Sequence, residues 1–192
     1  MQDLFTKYLL IINIVGFFAF LLNKYLYDNT PEGNVDKLLT IVSLLGGSLG
    51  IILSILIFDR EAKKGNMMSR VFVICIFIIQ AVLLLTVQGH HIGDYTRKFI
   101  NFLNDNNIII IYLIVINAIT FVLYGIDKKR AKEGRWRIRI VTLLGFAFAG
   151  GSIGALLGMK VFNHKIHVDY FTVGIPLIII AHLFLVFYFL NP

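Results

Sequence analysis

Long apolar runs separated by short polar connectors make up almost the whole chain. Six runs approach or exceed the roughly 20 residues that a helix needs to cross a bilayer. They occupy residues 8–27, 38–58, 71–87, 108–126, 138–161 and 170–190. Little sequence remains outside them, so a separate soluble domain does not fit. The pattern predicts an all-α integral membrane protein with six transmembrane helices.

Composition favours the same class of protein. Of the 192 residues, 58% are hydrophobic and only 15% are charged, whereas soluble domains are about a quarter charged. The first run ends without a small-residue cleavage site, so it is predicted to be a membrane helix and not a signal peptide. The single cysteine, Cys75, lies inside the third run and excludes an intrachain disulfide.

The chain matches itself at an offset of 104 residues. The matched polar positions and motifs are Asn13 with Asn117, Lys24 with Lys128, and the motif GGSLG at Gly46 with GGSIG at Gly150. Ungapped polar matches are not expected from apolar composition alone, so we interpret the chain as an internal duplication. The predicted repeats are 1–87 and 108–192, and the connector 88–107 is predicted to contain an amphipathic helix on the membrane interface.

Three spans in each repeat predict two inverted repeats, because an odd number returns the chain to the opposite side. Lys and Arg counted loop by loop divide as twelve on one side and six on the other. The richer side is predicted to be cytoplasmic. Both termini are therefore predicted to lie on the cytoplasmic side of a bacterial plasma membrane. External labelling should then reach position 93 but not position 134.

The net charge of +7 favours contact with anionic lipid headgroups. A nucleic-acid partner is not predicted, because the basic segment 127–139 directly joins two spans.

The paired glycines allow two interpretations. The residues concerned are Gly46, Gly47, Gly50, Gly150, Gly151 and Gly154. Small residues at this spacing let helix backbones approach closely, which predicts that the second and fifth helices touch near Gly47 and Gly151. Alternatively, the Gly-Gly-Ser segments open their helices and expose backbone groups, with Ser48 and Ser152, to a solute.

Polar residues within the spans are the other candidates. Asn13 and Asn117 need partners in hydrocarbon, either on a neighbouring helix or in a solute. His182, roughly matched by Gln80 in the first repeat, is either a neutral histidine bonded to a carbonyl or a functional group.

Charged residues complete the candidate set. Asp127 and Lys128 are predicted at the cytoplasmic face, and His164 and Lys165 at the opposite face. The candidate substrate-binding residues are Asn13, Asn117, Ser48, Ser152, His182, Asp127, Lys128, His164 and Lys165. Because only the second repeat has the full polar set, we expect it to carry the activity. No metal site, cofactor or catalytic constellation is predicted, so an enzyme is not expected.

The second repeat resembles a known family. The strings YGIDKKRAKEGRWRI, GGSIGALLGMKVFNHK and FTVGIP are similar to the small bacterial membrane family DUF1294, whose function is unknown. The positions on its pattern are Asp127, Lys128, Ala131, Arg137, Gly150, Gly151, Gly154, Phe162, His164, Lys165 and Phe171. Family members are typically one unit long, which implies that this chain fuses two, and the first unit lacks the Asp-Lys and His-Lys elements.

The predicted function is passage of a small solute or ion through a site between the repeats. The alternative is a non-transporting membrane module that binds a protein or lipid partner. A monomer acting as an internal pseudo-dimer fits either function.

Overall fold

A computed structural model describes residues 2–29, 36–60, 66–87 and 107–189, and these residues are helical apart from short connections. The helices are α1 (Gln2–Asn29), α2 (Asp36–Val42), α3 (Ser48–Phe58), α4 (Met67–Val87), α5 (Asn107–Lys132), α6 (Ile140–Phe146), α7 (Ser152–Val161), α8 (Asp169–Thr172) and α9 (Gly174–Phe189). Within the described ranges there is no β-strand. The interfacial helix predicted in the connector 88–107 lies almost wholly outside the described residues.

Among the described residues, six helical segments are long and apolar enough to cross a membrane, which confirms the number of apolar segments. They are Leu4–Leu26, Lys37–Phe58, Met67–Leu85, Asn107–Lys132, Ile140–Val161 and Asp169–Phe189. The chain divides into two compact units, Met1–Ala81 and Val82–Pro192.

A kinked turn with a non-helical glycine interrupts the second apolar segment of each unit. It spans Ser43–Gly47 between α2 and α3, and Ala147–Gly151 between α6 and α7. Within these turns Gly46 has φ 109° and Gly150 has φ 111°. Residues with a side chain rarely adopt this conformation, so the first glycine of each pair permits a sharp change of direction.

In the second unit this change is a reversal, and α6 and α7 form a hairpin. Before the hairpin, the backbone N–H of Ile138 donates to Oδ1 of Asp127 at 2.9 Å. After it, Nε2 of His164 lies 2.8 Å from Oδ2 of the same carboxylate. A straight helix of 22 residues would separate its ends by about 33 Å. The segment Ile140–Val161 therefore starts and ends beside Asp127, and its middle lies further away along α5.

Contacts along α5 locate the two arms. Gly150 packs against side chains of Tyr112, Leu113 and Ile116, which lie about 20 Å from Asp127 along α5 at 1.5 Å per residue. Hence α6 runs antiparallel to α5, the chain turns at Gly150, and α7 returns parallel to α5.

The first unit has the same break. Tyr8 donates to the carbonyl of Leu45, and Lys24 donates to that of Phe58, so α3 runs parallel to α1. A straight continuation of α3 would place Leu39 level with the start of α1. Instead, Leu39 shares a buried cluster with Ala19 and Phe20, most of the way along α1.

These hairpins correct two expectations. The inversion rested on three crossings in each unit, but a segment that starts and ends at the same level is not a crossing. Asp127 and His164, expected at opposite membrane faces, are in direct contact. The sequence could not show this, because a hairpin and a straight span have the same length and composition.

Candidate functional site

The tip of the second hairpin is a cluster of backbone carbonyls capped by neutral side chains. Near the break, the Tyr112 hydroxyl donates to the carbonyl of Ala149 at 2.6 Å. Nε2 of His182 lies 2.9 Å from the carbonyl of Phe148. A carbonyl only accepts, so Nε2 carries the proton. Nδ1 is then free to accept from the Ser152 hydroxyl, 3.2 Å away.

Asn117 joins α5 to the turn of the hairpin and to α7. Its Oδ1 accepts the backbone N–H of Gly154 at 2.6 Å. Its Nδ2 donates to the carbonyl of Gly150 at 2.9 Å and to that of Leu113 at 2.7 Å. The partly buried amide thus bonds the turn, the start of α7 and its own helix, so that its oxygen and nitrogen both have partners.

The tip of the first hairpin has corresponding bonds. The Gly50 N–H donates to Oδ1 of Asn13 at 2.8 Å, and Nε2 of Gln80 donates to the carbonyls of Ser43 at 2.8 Å and Leu44 at 3.0 Å. The Ser48 hydroxyl donates to Oε1 of Gln80 at 2.7 Å. Gln80 therefore takes the place in the first unit that His182 takes in the second.

The other glycines let the helices of one unit approach closely. A Cβ atom at Gly154 would overlap the carbonyl of Asn117, and one at Gly50 would overlap that of Asn13. The nearest atoms to a Cβ at Gly47 include the carbonyl of Ile12, and those at Gly151 include the side chain of Thr120. These glycines approach the first long helix of their own unit, while the predicted contact between Gly47 and Gly151 stays a prediction.

A second polar group lies where the arms of the second hairpin begin and end. Asp127 is fully buried. Besides the bonds from Ile138 and His164, its Oδ2 pairs with Nζ of Lys165 at 3.0 Å. Lys165 also lies 4.5 Å from the ring centre of Phe171, which adds a cation–π contact. A buried carboxylate with these partners is stabilised in its ionised form.

The turn after α7 places His164 and Lys165 beside the carboxylate of Asp127. Asn163 has φ 46° and Lys165 has φ 62°, a conformation that costs a residue with a side chain roughly 1–2 kcal/mol. The ion pair with Asp127 offsets this cost. Lys128 points elsewhere, since its Nζ donates to the carbonyl of Asn163 at 3.2 Å.

The first unit has a different ion pair at this end. Nη2 of Arg70 lies 2.9 Å from Oδ2 of Asp59, while Arg60 donates to the carbonyl of Leu56. At the offset of 104 residues, the counterparts of His164 and Lys165 are Arg60 and Glu61, and Glu61 lies outside the described residues. In the ranges that the structure describes, no group of His, Cys, Asp and Glu residues could hold a metal ion.

The predicted residues of the second unit thus form two groups and not one site. Asn117, Ser152 and His182 surround the tip, whereas Asp127, His164 and Lys165 lie about 15 Å away, ten residues further along α5. Sequence reasoning missed Tyr8 and Tyr112 as polar groups at the tips. Both matched at the offset of 104, but their rings suit an apolar span equally well.

Known proteins are similar to the second unit. The DUF1294 family, described as a protein of unknown function, matches residues 117–171, which contain both polar groups except His182. The uncharacterized protein YsdA of Bacillus subtilis (strain 168) is 36% identical over 85 residues, which cover 44% of this chain and 96% of YsdA. No solved structure matches. Residues 117–171 match the DUF1294 family, and the chain aligns with nearly the whole length of YsdA. The chain therefore belongs to the DUF1294 family.

Proposed function

We propose that this chain is an integral membrane protein that passes a small solute or ion at the tips of its hairpins. The observation that carries the proposal is the matched break at Gly46 and Gly150, each with its freed carbonyls beside neutral polar side chains. Broken backbone at membrane depth is tolerated only where protein covers it or where it lines a water-filled cavity. Matched glycine-interrupted segments are also typical of transport sites near the midplane.

The hairpins change the topology that we propose. With two crossings and one re-entrant hairpin in each unit, 15 Lys and Arg residues fall on one side and 3 on the other. The three are Lys7, Arg97 and Lys98. Since the basic side is cytoplasmic, the hairpins enter from the cytoplasm, and both termini lie outside. This replaces the cytoplasmic termini expected from the sequence, because the sharper charge division follows from the hairpins.

Labelling in intact bacterial cells tests this topology. In a Cys75→Ala background, a membrane-impermeant maleimide should label a cysteine added at the N-terminus and also Gly93→Cys. It should not label His167→Cys, next to the Asp127 group, until the membrane is permeabilised. If His167→Cys were labelled in intact cells and the N-terminal cysteine were not, the result would contradict the hairpin topology and support three crossings in each unit.

The chemistry of the tips suits a small solute or ion. Carbonyl, amide, hydroxyl and imidazole groups lie close together at the second tip, and a carbonyl cluster can replace the hydration shell of a cation. Purified protein in liposomes should raise the flux of protons, halides or small cations above that of protein-free vesicles. A chain that inserts into the vesicles but moves none of them would refute the proposal.

Exchanging Gln80 of α4 and His182 of α9 tests which unit carries the activity. His182→Gln should preserve the fold, because Gln80 makes the corresponding bonds in the first unit. It should nevertheless lower flux several-fold, because it removes the imidazole from the tip. Gln80→His is the matched control and should have a smaller effect. Equal losses from both exchanges, at unchanged thermal stability, would contradict an activity centred on the second unit.

The second candidate is a non-transporting membrane module that binds a protein or lipid partner. The completeness of the tip bonding favours it, since Asn117 and His182 already have partners for their polar atoms within the unit. The flux measurement separates the two functions, and neither is enzymatic.

A further inference from the structure

The connection between α5 and α6 is a short, well-defined turn. Gly134 has φ 66°, and the N–H of Arg135 donates to the carbonyl of Arg130 at 3.0 Å. This is the pattern of a glycine-terminated helix end. The Ile138 N–H, bonded to Asp127, fixes the other end. Residues 133–139, the basic turn, are therefore held in place at both ends.

Trp136 projects from the basic turn and is 95% exposed. It is the single tryptophan of the chain. Tryptophan is enriched at membrane–water interfaces, where its apolar ring and its N–H are both accommodated. A ring so exposed on a turn that is fixed at both ends therefore indicates an interfacial contact.

Basic residues flank Trp136 in the sequence. Glu133 is neutralised locally by Arg135 at 3.1 Å and faces Lys129 at 4.0 Å. The exposed basic residues near it are Arg130, Lys132, Arg137 and Arg139. Asp127, the other acidic residue of this segment, is buried among its own partners. The surface around Trp136 is therefore strongly positive.

We propose that the basic turn binds anionic phospholipid headgroups of the cytoplasmic leaflet, with Trp136 among the headgroups and Arg137 and Arg139 on lipid phosphates. The inference depends on the membrane location proposed above but not on transport. A lipid is favoured over an acidic protein or a nucleic acid because the turn directly connects two apolar helices. Its Ile138 end lies level with Asp127, one residue beyond the apolar run 108–126, so the turn lies close to the hydrocarbon edge.

The single tryptophan makes a direct test possible. Purified protein is reconstituted in vesicles of phosphatidylcholine and phosphatidylglycerol, with acyl-chain bromine on one lipid or on the other at equal total bromine. Bromine quenches tryptophan at short range. Brominated phosphatidylglycerol should quench Trp136 more strongly than brominated phosphatidylcholine. Arg137→Gln should lower this preference about fivefold, the factor that corresponds to the roughly 1 kcal/mol that one basic residue contributes at an anionic surface.

Lys7→Gln removes the same charge from the start of α1 and should leave the preference unchanged. Equal quenching by the two brominated lipids would overturn the inference. So would quenching by aqueous iodide alone, the result expected if the turn faced a soluble acidic partner. If the protein did not float with the vesicles at all, the proposed membrane location would fail, and this outcome is distinct from the other two.

Discussion

Replacing Gly154 by alanine is expected to lower the free energy of unfolding by about 3 kcal/mol, at the upper end of overpacking costs. The added Cβ would overlap the backbone carbonyl of Asn117, which cannot rotate away as a side chain could. Separating the helices would also stretch the bond from the Gly154 N–H to Asn117. In detergent, this loss should lower the melting temperature by roughly 6–12 °C.

Gly145→Ala is the matched control for this change. Gly145 lies in α6 of the same hairpin, and a Cβ there would have no neighbour within 4 Å. Alanine is favoured over glycine inside a helix by up to about 1 kcal/mol, so the melting temperature should stay the same or rise. If Gly154→Ala melted like the control, α5 and α7 would not be in the close contact described above.

The second large effect is expected for Asp127→Asn, which should cost about 3 kcal/mol or more, the usual loss when one member of a buried ion pair is removed. Asparagine keeps an oxygen for the Ile138 N–H but no longer compensates the charge of Lys165, whose side chain is only 12% exposed. Thermal denaturation in detergent measures the effect. Adding Lys165→Met should recover part of the loss, because it removes the uncompensated charge.

Lys129→Gln provides the control on the same helix. Its pair with Glu133 is 4.0 Å long and the lysine side chain is 77% exposed, so the change should not measurably alter stability. Wild-type stability of Asp127→Asn would mean that the ion pairs of Asp127 do not stabilise the fold. Substitutions of His164 or Lys165 should also destabilise the fold, because both residues bind a buried carboxylate.

The sequence indicated the important polar and glycine positions better than it indicated the hairpin path of the chain. Asn13, Asn117 and the glycine motifs were recognisable because polar and small residues are rare in apolar runs and matched at one offset. Each glycine pair combines two functions that composition does not separate. Gly150 supplies a positive φ, whereas Gly151 and Gly154 supply space for a neighbouring helix.

The reversal itself left a weak trace in the sequence. One residue in an unusual conformation changes a crossing into a hairpin without altering hydrophobicity or length. The only indication was the distribution of charge. Three crossings in each unit divide the Lys and Arg residues twelve to six, which is a modest asymmetry for loops this basic. The pairing of Asp127 with His164 was out of reach, because it follows only once the ends of the hairpin are known to meet.

The bonding at the second tip has a consequence for how the protein is made. A hairpin alone in hydrocarbon would carry carbonyls without partners at its break, each costing several kcal/mol. In the membrane location proposed above, α5 emerges first during synthesis, so Tyr112 and Asn117 would already be present when Ala149 and Gly150 enter the bilayer. His182 arrives later and bonds Phe148. We therefore expect the order of the chain to be an order of assembly, in which the last helix completes the hairpin.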